Sequence, residues 1–168
     1  MIERFRVQNY KALRDVELAL TPIHVLIGPN DSGKTSILEA LAALSRSVEM
    51  PLAEAFAGPW EGRELVWRGE DTAVSLRASG IGFQYELSVR FTPQAQGASV
   101  ESELVNGVDG PRKASRTNVR LVVFESMQPD PSLRSAAAAV HAKLKGVHLY
   151  RWMPQLLALP CAPDASRR

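Results

Sequence analysis

The sequence is poor in residues that bind metals or form covalent cross-links. Among its 168 residues the only cysteine is Cys161, which excludes an internal disulfide and a metal site built from several cysteines. Its three histidines, His24, His141 and His148, have no ligand spacing with that cysteine. We interpret His24, which lies in an apolar run, as a packed residue and not as a catalytic one.

Strong net charge and long apolar runs are absent as well. The net charge of +2 is too small to argue for nucleic-acid binding by itself. No apolar run reaches the roughly 20 residues of a membrane span, and residues 1–6 lack the apolar core of a signal peptide. With 45% hydrophobic and 23% charged residues, the chain has the composition of one soluble domain. We therefore expect a cytoplasmic protein with no membrane partner.

The most informative stretch is residues 28–35, which reads G-P-N-D-S-G-K-T and matches the phosphate-binding P-loop. The apolar run at residues 23–27 predicts a strand before it, and residues 36–44 have helical spacing and good helix formers. Strand, glycine loop and helix follow in the order that the motif requires. The sequence therefore predicts a site for ATP with Mg²⁺, and its predicted binding residues are Gly28, Asn30, Asp31, Ser32, Gly33, Lys34, Thr35 and Ser36.

Each of these residue types has a chemical reason in such a loop. Gly28 and Gly33 allow backbone angles that let successive N–H groups curl around a phosphate. The helix that follows directs the positive end of its dipole to the same place. Lys34 is expected to reach the β- and γ-phosphates, and the Thr35 hydroxyl to bind Mg²⁺. Asp31 adds a negative charge beside the phosphates, so we expect it to face outward.

The rest of the chain reads as strands followed by a helix. Strands are predicted at residues 2–9 and 16–20, with residues 9–15 as the loop between them. Alternating apolar residues then predict an antiparallel meander, with turns at residues 69–71, 79–80 and 106–107. Its strands are residues 64–68, 73–78, 81–91 and 99–105, and residues 119–124 are predicted to be a further apolar strand. A helix is predicted over residues 132–145, and the tail from Pro154 is predicted to be extended.

Residues 2–44 resemble the N-terminus of ABC-class ATPase heads, namely the RecF, SMC and OLD group. Those proteins open with a strand, an N-[FY]-[KR] turn, a second strand and then GPN-x-SGK-[ST]. This chain has Asn9-Tyr10-Lys11, then Gly28-Pro29-Asn30, then Ser32-Gly33-Lys34-Thr35. Residues 149–154 and 159–160 are also similar to the close of the first lobe in OLD-like and related AAA-type bacterial ATPases.

The resemblance implies an α/β fold, a P-loop NTPase lobe with a mixed sheet, an antiparallel β meander and a P-loop helix. Residues 1–168 would form a single N-terminal ATP-binding lobe, made of residues 1–50, a β-rich part at 51–125 and a last part at 126–168. Lys11 would contact the nucleotide, although a surface lysine is an equal interpretation. Gln128 would be the glutamine that contacts Mg²⁺, and a solvated loop glutamine is the alternative.

Several motifs of that family are missing. The chain has no LSGG-type signature, no hhhhDE Walker B strand and no switch histidine. The nearest Walker B candidate, residues 121–125, ends in Glu125 where Asp should stand, and Ser126 replaces the catalytic Glu. No catalytic residue is identified, so we expect an isolated chain that binds ATP without hydrolysing it.

These omissions suggest half of an ATPase head with an unpaired sheet edge. Hydrolysis would need a second C-terminal lobe or a partner ATPase or nuclease subunit. Complete heads would form a homodimer that binds DNA, in repair or phage defence. Two alternatives stay open: a self-contained P-loop kinase or GTPase with Glu125 as a degenerate Walker B, and a non-catalytic nucleotide-binding interaction module.

Overall fold

The computed structural model describes residues 1–58, 62–92, 97–107, 110–114 and 130–150, with residues 107 and 110–114 described through their backbone. Its regular elements follow one another as strands, helices, strands and a helix. They are β1 (Arg4–Tyr10), β2 (Leu13–Ala19), α1 (Lys34–Arg46), α2 (Leu52–Ala55), β3 (Val74–Gly80), β4 (Phe83–Phe91), β5 (Ala98–Gly107), β6 (Gly110–Ala114) and α3 (Pro131–Leu144). Two 3₁₀ turns, Gly62–Leu65 and Trp67–Gly69, lie between α2 and β3.

The strands form one sheet of six strands in the order β2-β1-β3-β4-β5-β6. Every pairing in it is antiparallel. The α/β character and the antiparallel meander are therefore confirmed, with β6 as a strand that the sequence did not predict. The predicted mixed sheet is not seen, because all pairings between the described strands are antiparallel.

One face of the sheet is the core, and the strict alternation along β4 shows why. Phe83, Tyr85, Leu87, Val89 and Phe91 are all buried, while the residues between them are half-exposed. Alternating side chains point to opposite faces of a strand, so this pattern fixes which face is covered. On β1, Phe5 and Val7 are buried in the same core.

Two helices cover this face. α1 contacts β1 and β3, and α3 contacts β4 and β5. α3 begins at Pro131 because Asp130 caps it, its carboxylate accepting a hydrogen bond of 2.9 Å from the Ser132 N–H. The helix predicted over residues 132–145 is thus confirmed to within a residue. The Ser45 hydroxyl in the last turn of α1 is buried and donates to the Leu144 carbonyl of α3 at 2.7 Å.

Some predicted boundaries are wrong for local reasons. The predicted loop at residues 9–15 is a tight hairpin, because Asn9 and Lys11 adopt positive φ and let β2 begin at Leu13. The turn predicted at residues 79–80 falls later, at Gly82, whose φ is 75°. Gly80 is instead a strand residue that needs to lack a side chain, because a Cβ there would lie 2.3 Å from the Met1 carbonyl oxygen.

The predicted strand at residues 64–68 is wrong as well. The two 3₁₀ turns take its place, and only Val66 pairs with the sheet, through an isolated bridge to Tyr10. Gly62, Arg68 and Gly69 have positive φ, which interrupts an extended strand. The Lys11 N–H donates to the Leu65 carbonyl at 2.9 Å, so the segment still lies against the first hairpin.

The predicted strand at residues 23–27 does not join the sheet. Ile23 is 84% exposed, Val25 70% and Ile27 92%, and His24 is exposed with them, so its interpretation as a packed residue is wrong. No described strand pairs with this segment. Among the helices that the structure describes, none has the length and apolarity needed to cross a membrane.

Candidate functional site

The loop before α1 depends on two residues in left-handed conformations. Asp31 has a φ of 62°, and Gly33, which precedes the first residue of α1, has a φ of 88°. A Cβ on Gly33 would lie 2.6 Å from Leu13 Cδ2 in the first hairpin. Only glycine therefore suits this position, both for its backbone and for its approach to β2.

Lys34 folds back into this loop. Its ammonium donates to the Gly28 carbonyl at 2.8 Å, to the Pro29 carbonyl, and to the Ser32 hydroxyl at 3.2 Å. The loop is therefore curled around a positive charge. An anion that entered the loop would contact the Lys34 ammonium at the centre of the loop.

The start of α1 offers backbone donors to the same place. The Ile37 N–H donates to the Gly33 carbonyl at 3.0 Å, so the N–H groups of Lys34, Thr35 and Ser36 precede this bond. No side chain caps this end of the helix, and its first turn contains no acidic residue. The helix dipole and these donors favour an anion here.

Two adjoining clefts open beside this helix end. The first, of about 480 Å³, is lined by the loop residues Asn30, Asp31, Gly33 and Lys34. The second, of about 620 Å³, extends along α1 to the 3₁₀ turns. Both are also lined by Ala12, Thr35 and Ser36, so they form one continuous concave surface.

Lys11 and Glu39 form an ion pair in the wall of the second cleft. Lys11 Nζ lies 2.6 Å from Glu39 Oε2, and the two side chains are 13% and 16% exposed. Tyr10, which precedes Lys11, is buried below the pair, and burial raises the pKa of its phenol above the usual range, with the Glu39 charge adding to the shift. The Lys11 ammonium thus bonds to α1 at the edge of the cleft.

The far end of the second cleft is formed by the 3₁₀ turns, through Arg63, Glu64, Val66, Arg68 and Gly69. There the guanidinium carbon of Arg68 lies 4.3 Å from the centre of the Trp67 indole. The guanidinium carbon of Arg14, on β2, lies 5.4 Å from the same centre. Two arginines and one indole therefore form a stack at the cleft's rim.

The structure brings most of the predicted site residues together. Residues 30, 31 and 33–36 line the first cleft, Ser32 bonds to Lys34, and Asp31 is exposed as expected. Lys11 lines the second cleft together with Thr35, and it is paired with Glu39, one helical turn after Thr35 on α1. Gln128 and Glu125, like the predicted strand at residues 119–124 and the tail from Pro154, fall outside the described residues.

Sequence reasoning missed Glu39, Arg63, Trp67 and Arg68. Glu39 stands four residues after Thr35, so helical spacing alone would have placed it on the same face of α1. The segment around Trp67 was read as a strand, which hid its role as a wall of the cleft. The turn predicted at residues 69–71 was the available signal, but the left-handed backbone already begins at Arg68.

Comparison with known proteins identifies a family and several relatives that this chain resembles. A family model described as AAA ATPase domain matches residues 1–84, half of the chain. The OLD nuclease of Thermus scotoductus is 44% identical over 41 residues, which are 24% of this chain and 8% of that protein. The DNA replication and repair protein RecF of Salmonella paratyphi A is 32% identical over 110 residues, or 65% of this chain and 28% of that protein. RecF of Salmonella arizonae is 32% identical over 114 residues, covering 67% and 29%. The chain thus spans less than a third of each of these relatives.

Proposed function

The chain belongs to the AAA ATPase domain family, and from this premise we propose that it is the ATP-binding lobe of an ABC-class ATPase of the RecF, SMC and OLD type. The observation that carries the proposal is the start of α1. There Lys34 and the uncapped backbone N–H groups converge on one cleft. A triphosphate has the charge and the oxygens that this arrangement would bind.

In this proposal the phosphates occupy the first cleft. Lys34 leaves the carbonyls of Gly28 and Pro29 and pairs with the terminal phosphates. The first-turn N–H groups hold the inner ones. The residues fit Mg²⁺ through the exposed Thr35, whose hydroxyl is an oxygen ligand of the kind that Mg²⁺ takes. Bound Mg²⁺ would neutralise phosphate charge.

The second cleft would receive the nucleoside. It adjoins the first through Thr35 and Ser36, and Ala12 and Val66 give it apolar surface. Lys11 and Glu39 offer one donor and one acceptor at its wall. A nucleotide anchored by its phosphates at Lys34 could therefore extend along α1 toward Arg68.

A second lobe or a partner subunit would complete the protein. Residues 23–27 expose Ile23, Val25 and Ile27 beside the phosphate site, which is costly unless another element covers them. The relatives are more than three times as long as the part that this chain matches. We infer that a strand of the second lobe pairs with residues 23–27, giving the mixed sheet, and that complete heads dimerise.

The role of the complete protein would be linked to DNA. Two kinds of relative, named OLD nuclease and DNA replication and repair protein RecF, support this inference. The chain's own net charge of +2 gives little attraction to phosphate backbones. We therefore propose that DNA association, in repair or phage defence, belongs to the assembled head and not to this lobe.

The deciding experiment is calorimetry of Mg-ATP binding to the chain. Lys34→Ala should weaken binding at least about tenfold, or about 1.4 kcal/mol, because it removes the charge at the centre of the loop. Lys143→Ala, at an exposed lysine of α3, is the matched control and should bind as the wild type does. Equal affinity of the wild type and Lys34→Ala would refute the proposed site.

A further inference from the structure

The stack of Arg14, Trp67 and Arg68 needs an explanation that the phosphate site does not supply. Trp67 is half-exposed, and both arginines are exposed. Within the part of the chain that the structure describes, neither Arg14 nor Arg68 forms an ion pair. Cation–π contacts to the indole hold these two charges instead.

The backbone at Arg68 is strained. Its φ of 54° and ψ of 19° place a long side chain in the left-handed region. That conformation is unfavourable for a residue with a long side chain. Its effect here is to turn the chain so that Arg68 both stacks on Trp67 and lines the second cleft. Strain of this kind is characteristic of functional positions.

A guanidinium is planar and has two faces. The guanidinium carbon of Arg68 lies over the Trp67 indole, 4.3 Å from the ring centre. Arg68 is otherwise exposed and lines the cleft along α1, so its guanidinium is accessible to another flat group there. Arginine stacks well on aromatic rings because its charge is delocalised over a plane.

We propose that Arg68, held flat by Trp67, is the surface on which the base of the bound nucleotide stacks. This inference rests on the proposed function, because the phosphates at Lys34 bring the base to this end of the cleft. The ligand class is a nucleoside triphosphate, whose flat base stacks on the guanidinium plane. Trp67 is then a positioning residue, and it acts through Arg68.

Other charges face the same space. Arg63 and Glu64 line the cleft beside Arg68, while Lys11 and Glu39 stand opposite on the hairpin and on α1. Arg63 is also 3.7 Å from Asp71, which in turn bonds to Arg90. Glu39 and Glu64 offset part of the basic charge, so this end of the cleft attracts phosphate only weakly. Stacking therefore accounts for Arg68 better than a second phosphate site does.

The test compares Mg-ATP with Mg-tripolyphosphate, which has the phosphates but no base. Arg68→Asn is the main variant, because asparagine tolerates the left-handed backbone and lacks the guanidinium. It should weaken ATP binding about fivefold and leave tripolyphosphate binding unchanged. Arg68→Lys keeps the charge without the plane and should lose most of the same affinity. Lys143→Ala, at the exposed lysine of α3, is the control and should bind ATP as the wild type does.

The possible outcomes separate this inference from the proposed function. If the wild type binds neither ligand, the phosphate site is wrong and the inference falls with it. If Arg68→Asn weakens both ligands equally, or neither, the phosphate site stands and the base-stacking role is refuted. Full affinity in Arg68→Lys would show that charge alone is needed. Loss of single-stranded DNA binding in Arg68→Asn, with unchanged ATP affinity, would instead assign the stack to nucleic acid. Thermal melting of each variant checks that it is folded.

Discussion

β4 and residues 23–27 are both short segments with apolar residues of strand type, yet they have opposite environments. Leu87 of β4 has no exposed surface, whereas Ile27 is 92% exposed. β4 lies between β3 and β5, while residues 23–27 have no partner among the described strands. Apolar composition therefore gives a segment the capacity to be a strand, and a neighbouring strand decides whether it is buried.

The same difference separates a part of the molecule whose apolar surface is covered from a part whose apolar surface is exposed. The antiparallel sheet and its two helices already cover one another, with charged pairs on the open face, such as Arg6 with Asp15 at 2.7 Å. The apolar side chains of residues 23–27 are largely exposed, and the segment pairs with no described strand. Such an edge is a template for another strand. In this molecule it lies immediately before the proposed site.

The largest expected effect concerns hydrolysis. Supplying the second lobe, joined in one polypeptide or as a separate subunit, should raise ATP turnover at least about 100-fold over the chain alone, because in our proposal that lobe supplies the general base. A coupled phosphate-release assay measures this. The control is the same mixture with Lys34→Ala. Steady turnover by the chain alone that Glu125→Gln abolishes would favour the self-contained kinase or GTPase.

The next effect is on folding stability. Leu87→Ala should lower the free energy of unfolding by about 3 kcal/mol, because it leaves a cavity in the core. Val25→Ala, at a side chain that is 70% exposed, should change it by less than about 0.5 kcal/mol and should reduce self-association. Urea titration and sedimentation measure the two quantities. Equal destabilisation by both variants would show that residues 23–27 are covered in the chain alone.

The smallest effect lies on the open face of the sheet. Hydrogen bonds from Arg6 hold the pKa of the Asp15 carboxyl below its usual value. The folded state therefore gains from ionised Asp15 above the unfolded pKa of about 3.9, and loses that gain as the pH falls through the folded value. Asp15→Asn should melt slightly below the wild type at neutral pH.

In acid, where the wild-type carboxyl is protonated, that difference in melting temperature should disappear. Glu70→Gln, at an exposed carboxylate outside the sheet, is the control and should melt as the wild type does at both pH values. A difference that persists undiminished in acid would mean that Asp15 acts through packing and not through its charge.

Local patterns predicted much of this fold. The alternation in β4 and the helix α3 can each be predicted from residues that are close together in the sequence, and both predictions are confirmed. The first hairpin was misjudged because Lys11 adopts a positive φ that a lysine rarely takes, which makes the turn tighter than expected. The segment around Trp67 was misjudged because its apolar residues pack against the hairpin without forming a strand.

The candidate site, like the fold, was predicted from the sequence only where neighbouring residues form the pattern. A contiguous motif gave residues 28–36, and the structure gathers them at one end of α1. The ion pair of Lys11 with Glu39 joins residues that are 28 positions apart, so no local pattern could reveal it. The stack at Trp67 joins β2 to a turn that was read as extended. Both features depend on tertiary packing.

The buried hydroxyl of Ser45 links the last turn of α1 to α3. α1 has 13 residues and is therefore about 20 Å long, with the proposed phosphate site at its first turn. At its last turn, Ser45 is tied to the Leu144 carbonyl, where α3 ends. α1 thus connects the proposed phosphate site to the C-terminal end of α3. If that site binds a triphosphate, a tilt of α1 on binding would displace the end of α3 as well.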